Sequence, residues 1–99
     1  MSHESRPRLH LRVITSEKLL VDAEVEEIAL PGLEGEVGIL PGHRPLILGL
    51  GSGLLSYRRG ERVDSLFIKG GYATISASEV LVFSELDEDD RHRPAEKQR

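Results

Sequence analysis

Glu34, Glu36 and His43 stand close together in "LPGLEGEVGILPGH", residues 30–43, a stretch rich in Gly and Pro and free of lysine. Carboxylates two positions apart on an extended segment share a face, which is the placement that acid–base work by a carboxylate pair needs. A phosphate cradle, a metal loop, a catalytic corner and a docking surface all combine backbone freedom with charged groups. The surrounding residue types separate these four chemistries.

A phosphate loop of the Walker type needs G-x-x-x-x-G-K-[ST], with a lysine for the phosphates and a hydroxyl for magnesium. Gly35 and Gly42 have no such neighbours. The second glycine run, Gly49-Leu50-Gly51-Ser52-Gly53, ends in Leu54 where a dinucleotide fingerprint needs its third glycine, and no helix pattern follows. Ser52 is not a nucleophile elbow either, because positions 50 and 54 are both Leu. "GLGSG" therefore reads as a bend where strands cross or change sheets. The histidines, His3, His10, His43 and His92, lack metal-ligand spacing, and two fall in polar ends. Beside Glu34 and Glu36 the sequence offers no nucleophile, positive group or apolar pocket, so no catalytic, metal or cofactor site is expected. Solvated loop acids or a protein contact remain.

Composition narrows the class further. Ninety-nine residues make one domain. Thirteen basic against seventeen acidic side chains leave a formal charge of −4, the wrong sign for a nucleic-acid binder. Arg58-Arg59 is the only adjacent basic pair in the body of the chain. With no cysteine, disulfide and thiolate–zinc frameworks are excluded. "MSHESRPRLH" lacks the apolar segment of a secretory signal, and no apolar run approaches the roughly 18 residues of a membrane span. Any membrane association is expected to run through partners.

The elements that must hold the Gly/Pro block are strands. "RLHLRVIT" alternates Leu9, Leu11 and Val13 with His10 and Arg12, the period of a half-buried strand. "KLLVDAEVEEIALPG" continues in the same manner, but its phase slips at Glu26 and Glu27; either a bulge or the end of one strand and start of another accounts for that. Pro45–Leu50 and Leu54–Arg58 read as strands around "GSG", with a hairpin tip at Arg59-Gly60. Three more follow in residues 62–85, separated by turns at Lys69-Gly70-Gly71 and Ala77-Ser78-Glu79. "SLFI" and "VLVF" are apolar on successive residues, as strands covered on both faces are. Many short strands and no amphipathic helix predict an all-β sandwich or barrel. Residues 1–7 form a polar leader, and 87–99, with one block of acids, a charged tail with too little apolar surface to order itself.

Within the block, Leu33, Val37, Ile39 and Leu40 are expected to pack inward, with Glu36, His43 and Arg44 polar and exposed. That arrangement suits either a rigid docking corner or plain turn chemistry.

The ordered blocks "LHLRVITSEKLLVDAEVEEIALPGLEGEVGILPGHRPLILGLGSGLLSY" and "LFIKGGYATISASEVLVFSE" resemble the N-terminal domain of the epsilon subunit of bacterial F-type ATP synthases. The likeness covers about residues 8–86 and is most specific in PGxEGEVGILPGHxPL. It implies a two-sheet β-sandwich of about ten short strands that performs no chemistry and binds no cofactor. It also implies a rotor role in a proton-translocating complex: clasping the gamma shaft with one sheet face and resting on the membrane ring of c subunits, at the cytoplasmic face of the bacterial membrane. The ring contact maps onto Glu36 and His43, with Gly35, Gly38 and the weaker candidates Glu34 and Arg44 around them. A free-standing β-sandwich module for peptide or carbohydrate is the alternative, and it needs exposed aromatics, for which Tyr57 and Tyr72 are available.

Family members continue into a helical hairpin opened by [IL]-D-x-x-R-A. Here Leu86-Asp87-Glu88-Asp89 is followed by Asp90, Arg91 comes one place late, and Pro94 disfavours a helix. Nucleotide binding and inhibition by the hairpin are not carried over. Deleting residues 88–99 is expected to leave the melting temperature within about 2 °C of the full chain, the shift of a change worth under about 0.5 kcal/mol; a larger loss would show the tail packing on the body.

Overall fold

The computed structural model describes residues 7–85; nearly all of the expected leader and the whole charged tail lie outside them. The chain forms β1 (Leu9–Ile14), β2 (Leu19–Val25), β3 (Glu27–Gly32), β4 (Gly35–Ile39), β5 (Leu46–Gly49), β6 (Ser52–Arg59), β7 (Arg62–Ile75) and β8 (Glu79–Glu85). They hydrogen-bond in the order β2-β1-β8-β7-β6-β3-β4, with β5 also on β7. The first strand thus lies parallel to the last, His10 opposite Glu79 and Ile14 opposite Phe83.

The long strand β7 generates two layers from this one ladder. Its first part, Arg62 to Lys69, pairs with β6. Its last part, Tyr72 to Ile75, pairs with β8 on one side and β5 on the other. The register shifts between Lys69 and Tyr72, where the strand bends from one layer into the other. The first layer is β2-β1-β8-β7-β5 and the second β7-β6-β3-β4. Leu9, Leu11, Val13, Val80, Val82, Ala73 and Ile75 from the first meet Ile28, Leu30, Ile39, Leu55 and Ile68 from the second in one buried cluster.

The expected all-β, two-layer architecture is therefore present, and β1 buries Leu9, Leu11 and Val13 as its alternation predicts. Among the described residues there are eight strands where about ten are expected, one of which serves both layers. Lys69-Gly70-Gly71 does not separate two strands as a turn; it is the bend inside β7. At Glu26 the second alternative holds: β2 ends and β3 begins in the other layer. Arg58 fixes this crossing, its guanidinium 2.9 Å from Glu26 and 3.3 Å from Glu27, while its carbonyl accepts the Glu26 N–H.

"SLFI" is not covered on both faces among the described residues, since Phe67 stands 49% exposed and only Ile68 is fully buried. Its outward side chains belong to a layer whose outer face is open. In "VLVF", Val80 and Val82 are buried, whereas Leu81 and Phe83 lie half-buried on the other layer's outer face.

The bend demands a glycine. A Cβ on Gly71, whose φ is +104°, would stand 2.0 Å from the Phe83 carbonyl oxygen. Ser84, the one polar residue in the buried set, repairs the interrupted ladder: its hydroxyl donates to the Gly70 carbonyl at 2.9 Å and accepts from the Lys69 N–H at 3.3 Å. Gly71→Ala is expected to cost at least about 3 kcal/mol, because backbone must move. Ser84→Ala removes two part-buried hydrogen bonds and is expected to cost about 0.5–2 kcal/mol. Urea unfolding measures both, with Gly38→Ala on open β4 as the near-neutral control.

Candidate functional site

The Gly/Pro block folds as a β-hairpin followed by a crossover. Strands β3 and β4 pair from Ile28–Ile39 to Gly32–Gly35, leaving Leu33 and Glu34 as the two-residue tip. Gly35 takes a φ of +135°, a conformation side chains disfavour, and this closes so short a turn. Strand β4 is the last in the ladder, so its outer edge is unpaired among the described residues. After Ile39 the chain turns at Leu40-Pro41-Gly42-His43, with the His43 N–H donating to the Leu40 carbonyl at 3.2 Å, the Pro-Gly order of a tight turn. The Gly42 N–H donates to the Ala77 carbonyl at 2.8 Å and ties the crossover to the β7–β8 turn.

The six expected contact residues therefore do not converge on a point. Glu34, Gly35 and Glu36 occupy the tip end of β4, all exposed. Gly38 lies along the same strand on its outer face, opposite Ala29, with open space above it. His43 and Arg44 lie beyond the far end of β4, which spans about 13 Å at the usual rise. His43 is half-buried, not exposed, and its Nδ1 meets the Arg44 carbonyl at 2.7 Å. The set forms an edge, not a pocket.

Two further expectations change. Ile39 is fully buried and Val37 half-buried, but Leu33 is 72% and Leu40 56% exposed. Leu33 sits at the hairpin tip and Leu40 at the turn after β4: a strand alternation predicts facing only within the strand, and neither residue belongs to one. Leu33 and Leu40 are thus surface residues of the block that sequence reasoning assigned to the core.

Electrostatically, Glu34 and Glu36 make no ion pair among the described residues, whereas four arginines elsewhere are occupied: Arg58 by Glu26 and Glu27, Arg59 and Arg62 by Asp64, Arg12 by Glu79. Two carboxylates left without a cation at a rigid tip can receive one from outside. No nucleophile–base pair adjoins them, and among the described residues no group of three or more His, Cys, Asp and Glu is placed to hold a metal ion.

Beside the tip a shallow groove runs over the second layer's outer face, lined by Pro31, Glu36, Leu54, Ser56, Val63 and Ser65. Leu54, Val63 and Phe67 are 61%, 63% and 49% exposed around it. The two tyrosines share no platform: Tyr57 pairs with Ile28 on an inward row and packs on the core, while Tyr72 stands on the first layer's outer face against Phe83, ring centroids 5.8 Å apart.

Residues 8–87 match the family described as ATP synthase, Delta/Epsilon chain, beta-sandwich domain. The chain is 39% identical over 77 residues to the ATP synthase epsilon chain of Nitratidesulfovibrio vulgaris (strain DSM 19637 / Miyazaki F), covering 78% of this chain and 58% of that one. It thus spans less than two thirds of that relative. Among solved structures, a chain of the Euglena gracilis mitochondrial ATP synthase OSCP/F1/c-ring assembly superposes with a TM-score of 0.74 at 22% identity, over 99% of this chain and 71% of that one. A chain of the Tetrahymena thermophila mitochondrial ATP synthase central stalk and c-ring gives 0.70 at 14% identity, over 97% and 77%. At such identities the likeness concerns the fold.

Proposed function

The chain belongs to the ATP synthase delta/epsilon chain family, through its β-sandwich domain, and from that membership we propose that it is a non-catalytic rotor subunit of a membrane-associated, proton-translocating ATP synthase, coupling ion flow to ATP synthesis. The observation that carries the reading is the hairpin tip. Glu34 and Glu36 stand exposed, without an ion pair among the described residues, at a tip whose backbone is bonded into a stiff sandwich. A rigid corner loses little conformational freedom on docking, and torque needs a contact that does not slip.

The edge formed by Glu34, Gly35, Glu36, Gly38, His43 and Arg44 meets the polar loops of the c ring, at the cytoplasmic face of the bacterial membrane. The gamma shaft takes the second layer's outer face, where Leu54, Val63 and Phe67 surround the small side chains Ser56 and Ser65. That face adjoins Glu36, so one continuous surface reaches both partners. Together the two contacts are expected to bury more than about 1,000 Å², the scale of a durable interface. A peptide- or carbohydrate-binding module is less well supported, because Tyr57 and Tyr72 face different directions.

Copurification from native membranes tests the reading: tagged chain is expected to bring down gamma and c subunits. Glu36→Lys and His43→Ala should each keep the melting temperature and weaken the hold on the ring, while Leu54→Asp should weaken the hold on gamma. Unchanged coupled proton pumping and unchanged ring cross-linking in both loop variants would remove the ring assignment; retention of an immobilised glycan or peptide without gamma would favour the module.

A further inference from the structure

Leu33 is a large apolar side chain at a hairpin tip, 72% exposed, outside the buried cluster, and set between the exposed carboxylates of Glu34 and Glu36 on one side and the glycine run on the other. Its backbone is fixed: the Leu33 N–H donates to the Gly49 carbonyl at 3.1 Å, and one residue before it Gly32 bridges to Leu50. Its side chain lies over Gly49, where a Cβ would stand 2.8 Å from Leu33 Cδ1. Gly49 has an ordinary backbone conformation, so what it supplies is empty space under that leucine. Fold stability does not call for either choice, since a polar residue suits a solvent-facing tip equally well.

Resting on the rotor reading above, we propose that Leu33 is the apolar anchor of the ring contact and that Gly49 is the seat that aims it. The partner surface this fits is an apolar recess with a cationic group beside it: the recess takes Leu33, and the cation meets Glu34 or Glu36, which have none of their own among the described residues. An anchor whose backbone is held before contact gives up little conformational freedom on binding, and buried apolar anchors flanked by charge dominate many interfaces.

The test is binding of the full chain to detergent-solubilised c ring, with thermal melting alongside. Leu33→Ser is expected to weaken binding about 10- to 100-fold, the range for losing one buried aliphatic side chain. Leu33→Met should bind nearly as the parent does. Gly49→Ala pushes only the far end of an exposed side chain, so it should weaken binding in the same direction with no change in melting. Leu33→Ser that binds like the parent, or that lowers the melting temperature by several degrees, overturns the proposal. Glu36→Lys run in parallel separates the two levels: if it weakens binding while Leu33→Ser does not, the anchor is wrong and the ring contact stands. If neither variant matters, the ring contact itself is wrong.

Discussion

The close approach of backbone to backbone at the β7 bend is the constraint on which the other features depend. With no room for a Cβ between Gly71 and the Phe83 carbonyl, one strand can leave the second layer and enter the first without a loop. The bend then organises its neighbours through main-chain hydrogen bonds. The Gly71 carbonyl accepts from Leu50, the Gly51 carbonyl from Gly70, and the Pro31 carbonyl from Gly51, at 3.0, 3.2 and 2.8 Å. Bend, glycine run and hairpin are thus stacked segments of one corner, and the tip's position follows from the bend's.

That corner brings charge and apolar surface together. The first layer pairs His10 with Asp22 and Arg12 with Glu79, and it exposes Leu19, Ile47 and Tyr72. At the second layer, Glu34 and Glu36 make no ion pair among the described residues, and Leu54, Val63 and Phe67 are exposed beside them. Acids without a cation beside exposed apolar groups gain both ion pairing and burial from a partner. That combination at the tip is the reason to place both partner contacts on the second layer and its edge strand.

Much of this was legible in the chain. Alternation exposed β1 correctly, and the tip after Arg59 and the turn at Ala77-Ser78 fall where turn residues cluster. Glycine misled at Gly70-Gly71, because a bend and a turn call for the same residue, and only the pairing on either side distinguishes them. Leu33 and Leu40 were misread since facing depends on a neighbour's position once the strand has ended. That Glu34 and Glu36 make no ion pair among the described residues is also invisible in sequence: it depends on Arg58, Arg59 and Arg62 finding acids elsewhere. The block was recognisable as a unit, but its spread along an edge strand was not.

The parallel pairing of β1 with β8 has a consequence for how the molecule comes into being. Among the described strands, one neighbour of β1, β2, follows within about five residues, whereas the other, β8, begins about 65 residues later. At about 5–20 residues per second, β1 waits several seconds with an apolar side and an unfilled edge. Pairings so distant along the chain close slowly even once available. Until Glu79–Glu85 is synthesised, that edge of β1 stays without its partner strand.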